Sequence, residues 1–421
     1  MRSTSLLAAA ALAASVLAAA PAREPSASVA AFPGPVQPDP GAGFSVDRRG
    51  TAAAFAASWR EAGDRYDPAA SPTVFLWDLR AGSLRQVTAS GPSDQPSVEN
   101  GIAYARVGSA TEKTRFTRTL VAFRSTANLA GRNADGSAEI FVWDSGTNAF
   151  TQVSDATAGA SSDPVLGARF RAEKDAAGLY TGKILVRWRV AFLSTSDLAG
   201  DNPGGLPQVF HYDSGAPEVG RLVQVSHSTA GPAQPPVISG GGDRVAYVQD
   251  EDSGLPIPVQ QVFLWDHQGG ARLVFDPFPF LQTRELAMDG TGRWLAWTRD
   301  FVDPSTGNLA GETIARLDLR TKRFRSVFSP PGSSRRASLG SGGTPLVCLS
   351  TDSGDIDAPA AERPVEMRMD GTIREIGLPG GNWGTVRLAK DARFLLLTTT
   401  ENLDGTNAVG REVLHTVRYR P

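Results

Sequence analysis

Four histidines (His211, His227, His267 and His415) and one cysteine, Cys348, are the residues of this 421-residue chain best suited to proton transfer, metal binding or nucleophilic attack. None of the histidines forms an H-E-x-x-H or a close pair, the spacing that sets two imidazoles on one metal ion. His211 and His415 fall in apolar, strand-like runs, where packing accounts for them. Cys348 sits in the apolar run Leu346–Ser350, so a buried and inert thiol is expected. A single cysteine also excludes an intramolecular disulfide and any cysteine-cluster metal site. Neither G-x-S-x-G nor G-x-x-x-x-G-K-[ST] occurs, and Gly182-Lys183 is followed by Ile184 where a phosphate loop needs a hydroxyl. No attached hydrolase domain is expected.

Oxygen donors are better represented. Asp352, Asp355 and Asp357 crowd into one short segment, and the twelve-residue stretches 125–136, 194–205 and 399–410 are rich in Asn, Asp, Ser and Thr. No cofactor is expected, with Ca2+ at Asp352, Asp355 and Asp357 as the alternative, since calcium favours such ligands. In the three stretches the acids stand at different offsets: Asp135, then Asp197 and Asp201, then Glu401 and Asp404. Gly and Asn instead recur at fixed places. Both tolerate left-handed backbone, so a turn requirement explains the pattern better than a metal does.

The elements that must position these residues are repetitive. V-F-L-W-D at 74–78 returns as I-F-V-W-D at 140–144, V-F-H-Y-D at 209–213 and V-F-L-W-D at 262–266, with weaker copies at 314–318, 365–370 and 413–417. Each copy is preceded by a hairpin with Gly-rich or charged turns. Each is followed by a tight turn and a run such as L-R-Q-V-T (84–88), F-T-Q-V-S (150–154) or L-V-Q-V-S (222–226). Short apolar runs broken by Gly, Asp, Asn and Pro read as strands and turns. Four strands in each unit of about fifty residues describe a propeller blade, whereas the rungs of a stacked solenoid are shorter. The expectation is an all-β, seven-bladed β-propeller, with six or eight blades as alternatives. The last unit runs out before a fourth strand, so the N-terminal segment around Ser28–Phe32 is expected to close the ring. The Trp residues at 77, 143 and 265 occupy one repeat position and are expected to pack between blades.

The WD-bearing strand, its turn and the following xxVT or xxVS resemble the TolB-like, PD40-type (WD40-like) propeller repeat of exported bacterial proteins. The shared twelve-residue stretches strengthen this, and the resemblance covers 44–421. It implies a propeller, and for function it implies binding, scaffolding and enzyme-attached roles alike.

Residues 1–22 begin with Arg2, continue with an apolar run from Leu6 to Ala20 and end in Ala20-Pro21-Ala22. That is the layout of a secretory signal peptide, and no Cys follows it to make a lipoprotein. Residues 23–43, with five prolines, read as a stiff leader, and 44–421 as a single propeller domain. No later stretch is apolar enough to span a bilayer. A secreted or periplasmic monomer is expected.

Formal charge is −2, without the basic excess of a nucleic-acid binder. Its distribution is uneven. The seven loops between second and third strands (60–67, 124–139, 194–208, 249–261, 299–312, 351–363 and 400–412) sum to −13. In a propeller these loops share one face, beside the channel entrance. Basic residues on outermost strands, such as Arg85, Arg272 and Arg323, have a structural role in blocking edge pairing. The second and third units are longer than the others, the excess holding 108–116 and 169–183, where insertions map to loops. The function expected is that of a non-catalytic binding or scaffolding module. It would engage a protein, peptide or envelope component through Asp250, Glu251, Asp252, Asp352, Asp355, Asp357 and Asp404. The alternative is a polysaccharide lyase or glycosidase with carboxylates converging on the channel.

Overall fold

The computed structural model describes residues 28–31, 43–60, 65–66, 70–107 and 112–251 with short interruptions, and beyond 251 chiefly the strands, as far as residue 418. The signal-like segment 1–22 and most of the Pro-rich leader lie outside the described residues. Those described form seven four-stranded antiparallel sheets and one two-stranded ribbon, Trp59–Arg60 with Arg65–Tyr66. The first strands of the sheets, in chain order, are Phe44–Val46, Ser93–Ala105, Ser161–Lys174, Val237–Ile238, Leu281–Met288, Ser334–Leu339 and Trp383–Leu388. Each packs beside the first strand of the next sheet, and Trp383–Leu388 packs back on Phe44–Val46, which closes a ring. This is a β-propeller. Six sheets are each drawn from one stretch of chain. The seventh is composite: Ser28–Ala31 pairs with Val413–Arg418, Ser28 opposite Arg418 and Ala31 opposite His415. As units of chain, six are self-contained, and one sheet exists only through the pairing of the two ends.

The repeated sequence signature has a physical cause at each position. The third strands Thr73–Asp78, Glu139–Asp144, Gln208–Asp213 and Val259–Asp266 carry the WD-type run. Their Phe residues stack on an aromatic directly opposite in the second strand: Phe55 with Phe75, Phe123 with Phe141, Phe192 with Phe210, Tyr247 with Phe263. Such pairs contribute about 0.5–1.5 kcal/mol beyond their burial. The terminal acid accepts N–H bonds from the turn that follows, as Asp144 does from Gly146 and Asp213 from Gly215. It also pairs with an Arg of the second strand, Arg118 with Asp144 and Arg187 with Asp213.

The closing Thr or Ser is a latch. Thr88, Ser154 and Ser226 accept, through Oγ, the backbone N–H of Val74, Ile140 and Val209 at 2.7–2.9 Å. Ser154 also donates to the buried Glu139 carboxylate. Ser154→Ala leaves a buried N–H and a buried carboxylate each short of a partner, at a cost of about 1–3 kcal/mol. Urea unfolding should show it as a lowered midpoint with unchanged slope.

Most of the core lies between sheets. Trp143, 1% exposed, packs on Ala52, Ala54 and Val74 of the preceding sheet, and Trp265 packs on Ala191 and Val209. Serines stitch neighbouring first strands. Ser45 accepts from the Val98 N–H at 3.3 Å, Ser97 from Leu166 at 3.0 Å and Ser338 from Leu388 at 2.9 Å. No helix among the described residues is long and apolar enough to cross a membrane.

Candidate functional site: the mouth of the central channel

All seven first strands line one cavity of about 850 Å³. Its wall carries an apolar belt, one side chain per sheet, running from Val46 and Val98 round to Met288, Leu339 and Leu388. Beyond the belt Arg48 of the first sheet crosses the floor. It donates to Glu99 Oε2 of the second sheet at 3.2 Å and to the Ala168 carbonyl of the third at 2.5 Å. It also reaches Gly240 of the fourth, where an added Cβ would stand 2.8 Å from its Nη1. Glu99 is 2% exposed, so a largely buried ion pair spans this end of the channel, opposite the end where the first strands begin.

The end where the first strands begin has unusual backbone. Gln95, Asp163 and Glu285 have positive φ, at 50°, 53° and 50°. Each stands three residues before its sheet's belt residue (Val98, Leu166, Met288), and Gly43 takes the same place before Val46 with φ of 79°. The ladders slip at these points, between Asp94 and Ser97, Ser162 and Val165, and Arg284 and Ala287. These are β-bulges, which turn a side chain out of the sheet's alternation. Left-handed backbone costs a non-glycine residue about 1–2 kcal/mol. Among the described residues, the other non-glycine residues of this kind, Asn148 and Lys322, sit in the turns after third strands. Strain at the mouth therefore falls on three polar residues lining one cavity.

Their partners hold them in place. Asp163 donates its N–H to Gln95 Oε1 at 2.8 Å, and Gln95 Nε2 approaches Asp163 Oδ1 at 3.4 Å, linking the second and third sheets. Arg124 pairs with Asp94 beside them. Arg284 pairs with the buried Asp300 at 2.6 Å, and Thr298 donates to Glu285 Oε2 at 3.0 Å. Gln260 accepts the Thr283 N–H at 2.9 Å, linking the fourth and fifth sheets. Burial raises the Asp300 carboxyl above its ordinary range, and Glu285 adds to this while Arg284 opposes it. The charged residues lining the cavity are the acids Glu99, Asp163 and Glu285 and the bases Arg284 and Arg387.

Of the acids singled out by sequence, Asp250 and Glu251 are described. Both end the second strand of the fourth sheet, Asp250 opposite Gln260 in the ladder. Burial raises the Asp250 carboxyl, with Gln260 donating to it, and Gln249 donates to Glu251. Asp252, Asp352, Asp355, Asp357 and Asp404 lie outside the described residues. Gln95, Asp163, Arg284 and Glu285 escaped the sequence reading. The available signal was a polar residue at constant distance before the belt position, followed by Pro at Pro96 and Pro164.

The two described twelve-residue loops, 125–136 and 194–205, each have an internal amide centre; the third, from residue 400 on, lies outside the described residues. Asn133 Nδ2 donates to the carbonyls of Thr126 and Ser137, and Asn202 Nδ2 to those of Thr195, Ser196 and Leu206. An amide donor occupies the spot where carbonyl oxygens converge. Among the described residues no three His, Cys, Asp or Glu side chains cluster closely enough to hold a metal ion. Cys348 is fully buried, its thiol pushed up to about 12.

A second polar cluster lies between the third and fourth sheets. Asp213, 1% exposed, accepts from Arg187 at 2.6 and 2.9 Å and from Arg189 at 2.7 Å. Buried His211 sets Nε2 3.1 Å from the Gly242 carbonyl and packs against Trp265 and His267. Burial lowers the His211 imidazole to about 3, which leaves it neutral.

No protein-family model and no curated protein matches the chain. Solved structures do. An oligogalacturonate lyase in complex with manganese aligns over 94% of this chain and 97% of its own, at 12% identity and a TM-score of 0.52. The β-propeller domain of the Trilobed protease from Pyrococcus furiosus aligns over 89% and 92%, at 11% identity and 0.50. TolB from Acinetobacter baumannii is also similar, at 14% identity and 0.35, over 70% of this chain. The chain spans about half, 54%, of that TolB structure. At these identities the shared property is the propeller fold.

Proposed function

We propose that the chain is an exported β-propeller binding module that takes a basic peptide segment of a protein partner into the mouth of its central channel. The observation carrying this reading is the strained polar collar. Backbone strain held by surrounding structure is a reason to look for function, and here it falls on Gln95, Asp163 and Glu285 around one cavity. Asp163 and Glu285 at the mouth, with Glu99 deeper in the same cavity, favour a cationic ligand, and the acidic loops expected on this face would extend the same field. The apolar belt beneath gives a side chain somewhere to go once the charge is matched. The export part of the proposal rests on the signal-like residues 1–22.

The lyase alternative draws on the fold shared with the oligogalacturonate lyase. A polyuronate is anionic, and the acids of the mouth and of the loops expected around it would repel it. The two readings separate in one experiment, titration of the full chain with Lys/Arg-rich peptides and, in parallel, with oligogalacturonate. The paired substitution Asp163→Asn and Glu285→Gln is expected to weaken peptide binding at least tenfold, with binding falling as salt rises. Unsaturated product from oligogalacturonate, or peptide affinity indifferent to both substitutions, would overturn the proposal.

A further inference from the structure

The longest strands belong to the second and third sheets, and they run past the channel floor. Ser93–Ala105 continues six residues beyond Glu99, and Ser161–Lys174 extends similarly beyond Leu166, each paired with its own return strand, Thr114–Ser125 and Tyr180–Ser194. At about 3.3 Å per residue these hairpins project roughly 20–25 Å from the face opposite the mouth.

They form one arm. Phe170 lies where a Cβ on Gly101 would come within 2.1 Å of its ring, so only glycine admits this contact. Gly182 faces Phe116 and Val107 across the same seam, Arg118 donates to the Ile184 carbonyl, and Val107 bridges to Tyr180 near the tips. Strand alternation then fixes the outer faces. Tyr104 and its cross-strand neighbour Arg115 look outward on one side, and Leu185 with Arg171 and Lys183 on the other. Leu179 stands in the turn between the strands of the second hairpin, its N–H bonded to Asp175.

Two properties of this arm differ from the rest of the molecule. Tyr104, Leu179 and Leu185 are 59%, 49% and 40% exposed, three of the five large apolar side chains left exposed among the described residues. Residues 101–118 and 167–189 together carry ten Lys and Arg against three acids, a net +7 in a chain of −2. Several of these cations pair with the sheets below. Arg106, Lys113, Arg115, Arg171, Lys174 and Lys183 are exposed with no acidic partner among the described residues.

We propose that this arm docks tip-first on an anionic phospholipid bilayer. Charge complementarity points to an anionic surface, and the layout of the apolar residues chooses the bilayer. Because Tyr104 and Leu185 are on opposite faces with Leu179 between them, no single flat protein surface covers all three. A fluid interface receives a projecting tip from every side. Tyr and Leu then enter the headgroup boundary while the adjacent Lys and Arg meet phosphates. The mouth is at the other end of the channel and stays open to solvent.

The test is co-sedimentation of the full chain with vesicles of pure phosphatidylcholine, and of phosphatidylcholine with one third phosphatidylglycerol. Partitioning is expected to be at least tenfold stronger on the anionic vesicles and to fall with salt. Arg115→Glu, Arg171→Glu and Lys183→Glu together should reduce it at least tenfold, and Leu179→Ser with Leu185→Ser several-fold. Circular dichroism and the unfolding midpoint confirm folding of each variant. Three results would overturn the proposal: equal binding to both vesicles, anionic binding unchanged by the arm variants (so due to another segment such as Leu6–Ala20), or capture of soluble polyglutamate without vesicle binding.

Discussion

Asp213→Ala is expected to lower stability by about 3–5 kcal/mol, because it strands the buried Arg189 guanidinium that faces Asp213. Arg189 keeps the Gly241 carbonyl and the half-exposed Asp243 at 2.6 Å, which restrain it without replacing a fully buried carboxylate. The same repeat position in the next sheet gives the contrast. Asp266 pairs with Arg272 at 2.8 Å, with 20% and 44% of their side chains exposed. Asp266→Ala should therefore cost only about 1 kcal/mol, chiefly through its turn N–H bonds. Burial, more than the motif, sets the size of the effect. Urea unfolding of both variants checks this, and adding Arg189→Met to Asp213→Ala should restore part of the loss. A cost below 1 kcal/mol for Asp213→Ala would show that Arg189 finds adequate solvation elsewhere.

The second large effect is on acid stability. His211 titrates at about 3 when folded and near its ordinary 6.5 when unfolded. Between these values the unfolded chain binds more protons, so stability is full above about pH 6.5 and declines as pH falls. Between pH 6.5 and 4.5 the loss from His211 alone is roughly 2–3 kcal/mol, at about 1.4 kcal/mol per unit. His267 is also shifted down by burial and contributes in the same direction, while Asp47, raised by burial, acts against it. Asp213, held well below the usual carboxylate range by Arg187 and Arg189 against its burial, contributes stability lost only at lower pH. His211→Phe should flatten the decline between pH 6.5 and 4.5 even if it lowers stability at pH 7 through the lost contact with Gly242. Parallel declines for wild type and variant would place the titrating group elsewhere.

Much of the scaffold was legible in the sequence because the repeat is written in residues with fixed physical tasks. The WD-type runs became third strands, the Trp residues at 143 and 265 lie between sheets, and Asn133 and Asn202 close turns in the two described twelve-residue loops. The channel mouth was not legible. Gln95, Asp163 and Glu285 share a bulge whose signature is a backbone conformation, and three different side chains at one offset give no motif to find. From sequence alone, the insertions at 108–116 and 169–183 look like loops. Most of the second is ladder: Arg169 to Lys174 pair with Tyr180 to Arg187 in a continued hairpin. Their alternation was masked by charged residues on the outer faces. The ion pair at the far end of the channel, Arg48 with Glu99, joins residues 51 positions apart and becomes visible only when the sheets are set in a ring.

The most direct test of the channel-mouth account is amide hydrogen exchange on the full chain, with and without a saturating Lys/Arg-rich peptide. Added protection should concentrate at 93–97, 161–166 and 283–288, the bulged starts of three first strands, and leave the hairpins at 101–118 and 167–189 unchanged. Protection confined to those hairpins or to the outer strands, with the bulges unaffected, would contradict it.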